Sequence, residues 1–141
     1  MNPTQIICNY AVLRFLPHPD RGECVNVGVV VNCMQPGFLE FKTETRIPPW
    51  LTEVFPDWTK EKYEGAQAAM TTELERVKKL VSQARDPMSG RRNFQELVRP
   101  RESVFRFGEI RTISCADPER VADELFDRYV MRSSAARHMA S

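Results

Sequence analysis

Two apolar runs of strand length, Ile6–Leu16 and Cys24–Met34, stand on either side of a short polar loop, His18–Glu23, and constrain the fold more than any other feature. The first run is nearly continuous. Asn9 and Arg14 interrupt it, and Pro17 and Pro19 end it. Such a run suits a strand central in its sheet or covered on both faces, and a proline has no N–H with which to extend a ladder. The second run alternates. Val25, Val27, Val29 and Val31 are expected on one face, with Asn26, Gly28, Val30 and Asn32 on the other. Gly28 weakens a strand unless something packs closely over it, and a crossing helix or aromatic ring is the plain expectation. Gln35-Pro36-Gly37-Phe38 has the residues of a type II turn, and Phe38–Thr43 returns as a third strand. The three strands form an antiparallel meander.

Helical spacing follows. Ile47-Pro48-Pro49-Trp50 reads as irregular, and Leu51–Phe55 as a single helical turn. Tyr63, Ala66, Met70, Leu74, Val77, Val81 and Ala84 fall on one face of a long helix over Lys60–Arg85, stopped by Asp86-Pro87. Arg91–Val98 reads as a short helix with Phe94, Leu97 and Val98 inward. Val104–Phe107 and Glu109–Cys115 read as a later strand or a broken pair, with Gly108 as a bulge. Asp117-Pro118 starts a closing helix, Asp117–Met131, whose buried face carries Val121, Leu125, Phe126, Tyr129 and Val130. The expected fold class is α+β. An antiparallel sheet, a meander of three strands plus a later strand, packs on one long helix and a C-terminal helix.

At 141 residues the chain reads as a single α+β domain over 1–131, followed by a flexible tail over 132–141. His-Met-Ala-Ser at the end resembles residues left by cloning. The formal net charge of +1 gives no bulk electrostatic case for nucleic acid or an anionic membrane. No apolar run approaches ~18 residues, so no membrane span is expected. The first residues lack the pattern of a signal peptide. The expectation is a cytoplasmic protein. Cys8, Cys24, Cys33 and Cys115 form no Cys-x-x-Cys pair and read as reduced core residues. His18 and His138 are the only histidines, so neither a metal nor a cofactor is expected.

Three polar groupings are candidates for chemistry. The loop offers His18, Asp20, Arg21 and Glu23. A hydrolytic reading makes Asp20 or Glu23 a base and Arg21 an anion clamp, and the plain alternative is a solvated turn. Arg14 projects from an otherwise apolar strand and needs a partner. Glu23, or a carboxylate across the sheet, is the expected one, with Asn26 beside them, as a structural ion pair or a ligand site. Arg21 and Arg101 are expected at the rim of that cluster. Finally Arg91, Arg92, Arg99, Arg101, Arg106 and Arg111 interleave with Phe94, Phe105 and Phe107. That pattern fits single-stranded nucleic acid, or core aromatics with arginines guarding a sheet edge. No nucleophile–base pair, phosphate loop or metal spacing is present, so the leading reading is not an enzyme.

Tyr10-Ala-Val-Leu-Arg14, Arg21-Gly-Glu23 and Asn26-Val-Gly28-Val together resemble the N-terminal signature of a bacterial family catalogued as domain of unknown function 3037. Phe94, Leu97, Pro100-Arg101 and Ser103 are similar to its second block, and Asp117-Pro118-Glu119 with Leu125-Phe126 and Val130 to its closing helix. The resemblance spans about residues 8 to 131. One departure is Glu109-Ile-Arg-Thr112, where many members carry Pro-Val-His-Thr. Some members are encoded beside HipA-like kinases, so the resemblance implies an accessory or protein-interaction module with such a kinase as partner. The alternative is a nucleic-acid-binding protein, or a hydrolase acting on nucleic acid, using the arginine-rich segment 91–111.

Overall fold

The near-continuous apolar run becomes the central strand of the sheet. The computed structural model describes residues 5–33, 38–99 and 103–131. In chain order these hold β1 (Ile6–Phe15), a 3-10 turn (Pro19–Arg21), β2 (Val25–Cys33) and β3 (Leu39–Thr43). Then come α1 (Pro49–Val54), α2 (Lys60–Gln83), α3 (Pro87–Leu97), β4 (Phe105–Phe107) and β5 (Arg111–Cys115). The last are α4 (Pro118–Phe126) and a π-helical turn (Asp127–Met131). The fold is α+β, as expected. The turn expected at Gln35–Phe38 begins outside the described residues, and Arg101 and the tail 132–141 lie outside them.

The five strands are antiparallel, in the order β3-β2-β1-β4, with β5 also on β1. One edge of β1 pairs with β2 along its length. The other edge is shared: β4 pairs with Leu13–Phe15 and β5 with Ile6–Tyr10. The later strand is therefore the broken pair, and Gly108 bridges the break by donating its N–H to the Val12 carbonyl at 2.8 Å.

Both faces of β1 are buried, which is why its sequence hardly alternates. On one face Cys8, Tyr10 and Val12 join Val29, Val31 and Cys33 beneath Val121, Ala122, Leu125 and Phe126 of α4. On the other, Ala11 and Val30 pack under Leu74, Val77 and Val81 of α2 and Phe94 and Leu97 of α3. Farther along that face Leu13, Phe15 and Val27 meet Leu51, Phe55, Trp58 and Tyr63. Phe15 is fully buried, with the rings of Trp58 and Tyr63 edge-on at 4.7 and 5.1 Å. Two buried polar tips find carbonyls. Trp58 Nε1 donates to Pro17 O and the Tyr63 hydroxyl to Glu44 O, each at 2.9 Å.

The single valine face expected of β2 is corrected. Leu13 pairs with Gly28 but Arg14 pairs with Asn26, so Val27 is an extra residue in the ladder. The bulge inverts the alternation. Val29 and Val31 face α4, whereas Val27 and Val25 face α1 and α2. What packs over Gly28 is the neighbouring strand rather than a helix or ring. A Cβ there would stand 2.9 Å from Thr43 Cγ2 and 3.0 Å from Lys42 O.

Two helix boundaries also move. Asp86-Pro87 stops α2, but it starts α3 as well, four residues before the expected Arg91. Asp86 Oδ1 accepts the Ser89 N–H at 2.9 Å and Pro87 takes the first turn. Pro49 likewise opens α1 inside the stretch expected to be irregular. The reading of four reduced cysteines is corrected too. Register sets Cys8 directly opposite Cys33, and the two are joined as a disulfide. Cys24 and Cys115 are free. Among the described residues no helix is long and apolar enough to cross a membrane.

Val27 is 2% exposed. Val27→Asp leaves a buried charge without a partner, costing about 3–5 kcal/mol against a typical total stability of ~5–15 kcal/mol. Circular dichroism is expected to show loss of the cooperative thermal transition. Gly28→Ala forces the β2–β3 spacing and is expected to cost about 1–3 kcal/mol. An unchanged denaturant midpoint would show that β3 yields freely there.

Candidate functional site

Sequence sets the site by placing polar residues where the sheet outruns its helical cover. Arg14 pairs with Asn26 on one side and with Arg106 on the other, so the three form a row across β2, β1 and β4. Cross-strand partners share a face. That face is the α4 side, because Asn26 Nδ2 donates to the Tyr129 carbonyl at 3.1 Å. The bulge at Val27 is what turns Asn26 to this side.

Arg14 is half-buried, and its guanidinium lies against the backbone of Gly108. A Cβ at Gly108 would stand 3.1 Å from Cζ and Nη2 of Arg14, so the glycine provides the room for this approach. Arg106 is anchored by Nε donating to Ser103 O at 3.1 Å. Among the described residues neither arginine makes an ion pair. Two more arginines border the same face. Arg111 pairs with Tyr10 in register and makes a long, exposed contact to Glu109 at 3.4 Å, and Arg128 follows α4.

The hydroxyls of Tyr10 and Tyr129 meet at 2.9 Å on this side of the sheet. Burial pushes the Tyr10 hydroxyl above its ordinary range. The Tyr129 hydroxyl is pulled below its own, first by the hydrogen bond with Tyr10 and then by Arg111 and Arg128. Either hydroxyl can donate in this pair, and the two arginines both favour the ionised form of Tyr129. A cleft of about 310 Å³ opens at the Asn26 end of the row, lined by Asn26, Glu44, Arg46, Pro48, Val130 and Met131 among others. An open cleft of about 620 Å³ lies at the Arg106 end, lined by Pro19, Asp20, Ser103, Val104 and Arg106.

Of the residues singled out in the sequence, Arg14 and Asn26 are brought together. Glu23 is exposed and, among the described residues, makes no hydrogen bond or ion pair with either. The reason is local. The ladder ends at Phe15–Val25, Pro17 cannot continue it, and the chain swings away before Glu23 would come opposite. Arg21 is exposed in the 3-10 turn between the strands. The loop does not assemble the hydrolytic set either. His18 leans toward Asp57 at 3.5 Å and packs at a tilt against the Phe55 ring.

The arginine-rich segment divides between the two sides of the sheet. Arg91, Arg92 and Arg99 lie on or beside α3, with Arg99 paired to Glu96, while Arg106 and Arg111 border the α4 side. Phe94 and Phe105 are buried in the core and are not available as stacking platforms. Sequence reasoning missed the Arg14–Arg106 opposition and the tyrosine pair. The first needed the β1–β4 register, and Tyr10 and Tyr129 each read as ordinary core.

No curated protein and no solved structure matches the chain. A family model does match it, over residues 10–130, from Tyr10 of β1 to Val130 of the final turn. The chain therefore belongs to the family described as Protein of unknown function (DUF3037).

Proposed function

We propose that this protein is a non-enzymatic interaction module that holds its partner by an anionic group laid across Arg14 and Arg106. The observation that carries this is their direct opposition without an ion-pair partner among the described residues. Like charges opposite one another on a sheet destabilise it, and Arg14 is half-buried, where screening is weaker than in open solvent. A carboxylate or phosphate on the partner offsets that cost through charge-assisted, bidentate hydrogen bonds, for which guanidinium geometry is suited. Asn26 then orients the ligand at one end of the row. Arg21, Arg101 and Glu23 are the proposed rim of that site. An acidic protein segment is the favoured partner, since the described arginines of 91–111 are divided between the α3 side and the α4 side of the sheet. A HipA-like kinase is the partner class that the family suggests.

The test separates binding from stability. Arg14→Leu keeps an apolar stem on β1 and removes the like-charge repulsion. Thermal stability is expected to hold or rise by about 0.2–1 kcal/mol, while capture of the partner from a lysate of the source organism falls at least several-fold. A variant that loses stability instead would make Arg14 a structural residue and end this reading. Binding to single-stranded nucleic acid that collapses between low and moderate salt would replace it with the nucleic-acid alternative.

A further inference from the structure

The cysteines of the α4 face are not a simple pair. Cys8 and Cys33 are 0% and 2% exposed, sealed beneath Val121, Ala122 and Leu125. Solvent reductants and oxidants therefore have no direct path to their disulfide. Cys115, at the end of β5, stands beside it, with its Sγ 3.6 Å from Cys8 Sγ. The register explains the approach. Cys115 pairs with Ile6, two residues from Cys8 on the same side of β1. Cys115 is partly exposed and free, so one residue of the cluster reaches from the surface to the buried bond. Cys24, the other free thiol, is at the opposite end of β2 from Cys33.

The geometry points to a three-cysteine thiol–disulfide exchange site in which Cys115 is the outer thiol that connects the buried Cys8–Cys33 bond to a low-molecular-weight thiol of the glutathione class. The Cys115 thiolate attacks Cys8 Sγ. The Cys8–Cys115 bond forms, the Cys8–Cys33 bond breaks, and Cys33 leaves as a thiolate that takes up the proton Cys115 gave away. A glutathione thiolate then attacks the accessible Cys115 sulfur, forming a mixed disulfide and releasing Cys8 as a thiolate that is protonated in turn. A second glutathione thiolate removes the first as oxidised glutathione and regenerates Cys115. Two thiols are oxidised and one protein disulfide is reduced, so electrons balance, and every step is the ordinary exchange reaction.

The outer thiol is not strongly activated. Burial holds its pKa above the ordinary value, and Asp117 and Glu124 add to the rise. Proximity compensates, because a thiol held against one disulfide gains the effective concentration of an intramolecular reaction. The arrangement therefore favours exchange with the neighbouring bond over indiscriminate reaction with disulfides in solution.

The experiment uses the full chain with Cys24→Ser, so that only the three clustered sulfurs report. The protein is incubated with reduced glutathione under native conditions, quenched with an alkylating agent and mapped by mass spectrometry. The expected result is a transient species with Cys8 linked to Cys115 and Cys33 alkylated. Adding Cys115→Ser is expected to slow reduction of Cys8–Cys33 by about tenfold or more, with the melting temperature little changed. Equal reduction rates with and without Cys115, or no Cys8–Cys115 linkage at any time, would overturn the proposal. In Cys33→Ser, oxidised glutathione is expected to drive formation of the Cys8–Cys115 bond. A stable glutathione adduct on Cys115 in the folded variant would count against exchange, and if that variant does not fold the Cys115→Ser comparison decides alone.

Discussion

The structure depends on β1 being paired along both edges and covered on both faces. Ala11, Leu13 and Phe15 serve the side under α1–α3, while Cys8, Tyr10 and Val12 serve the side under α4. The partners come from both ends of the chain. Asn9 and Thr112 are 103 residues apart and yet hydrogen-bonded through their side chains at 3.2 Å. Such pairings give little return until the intervening loop has closed, so they are costly to form early. Until β4 and β5 arrive, one edge of the most apolar strand is open to other chains. At the far side of the sheet, β3 is held by charged contacts from two directions, Lys78 to Glu40 and Lys42 to Asp123, which keep that edge polar.

Most of the fold was legible because its signals are local. The helical spacing of Tyr63, Leu74, Val77 and Val81, the Asp117-Pro118 start and the twin apolar runs each specify an element from neighbouring residues. Asp86-Pro87 shows the limit of such signals. The dipeptide that signals a helix start at Asp117 signals a stop at Asp86, where a periodic run precedes it. It does both. What was not legible required register. The bulge at Val27 leaves no mark in an alternating valine run. The Cys8–Cys33 pairing and the Arg14–Arg106 opposition depend on which residue of one strand faces which of another. Arg14 stands out in the sequence as a charge in an apolar strand, but the hairpin pairing that would bring Glu23 to it ends at Phe15–Val25, before Glu23 comes opposite.

The site also shows how little a bulk charge of +1 says about local field. Arg14, Arg106 and Arg111 share the α4 side of the sheet through their register, and Arg111 and Arg128 lie close enough to lower the Tyr129 hydroxyl, while Asp117 and Glu124 act on Cys115 farther along the same side.

The extra residue in β2 amounts to a compensated frameshift in the reading of side chains. Upstream of Val27 the strand is out of frame with the half downstream, and each half is correct for the core it meets. Straightening the bulge at unchanged length would set Val27 opposite Arg14 and Asn26 opposite Phe15, turning Val25 and Val27 away from the aromatic cluster and Asn26 into it. A one-residue slip of register is therefore a change of composition on both faces of the sheet at once. Register at this point is as much a part of the information content of the chain as the identity of any residue beside it.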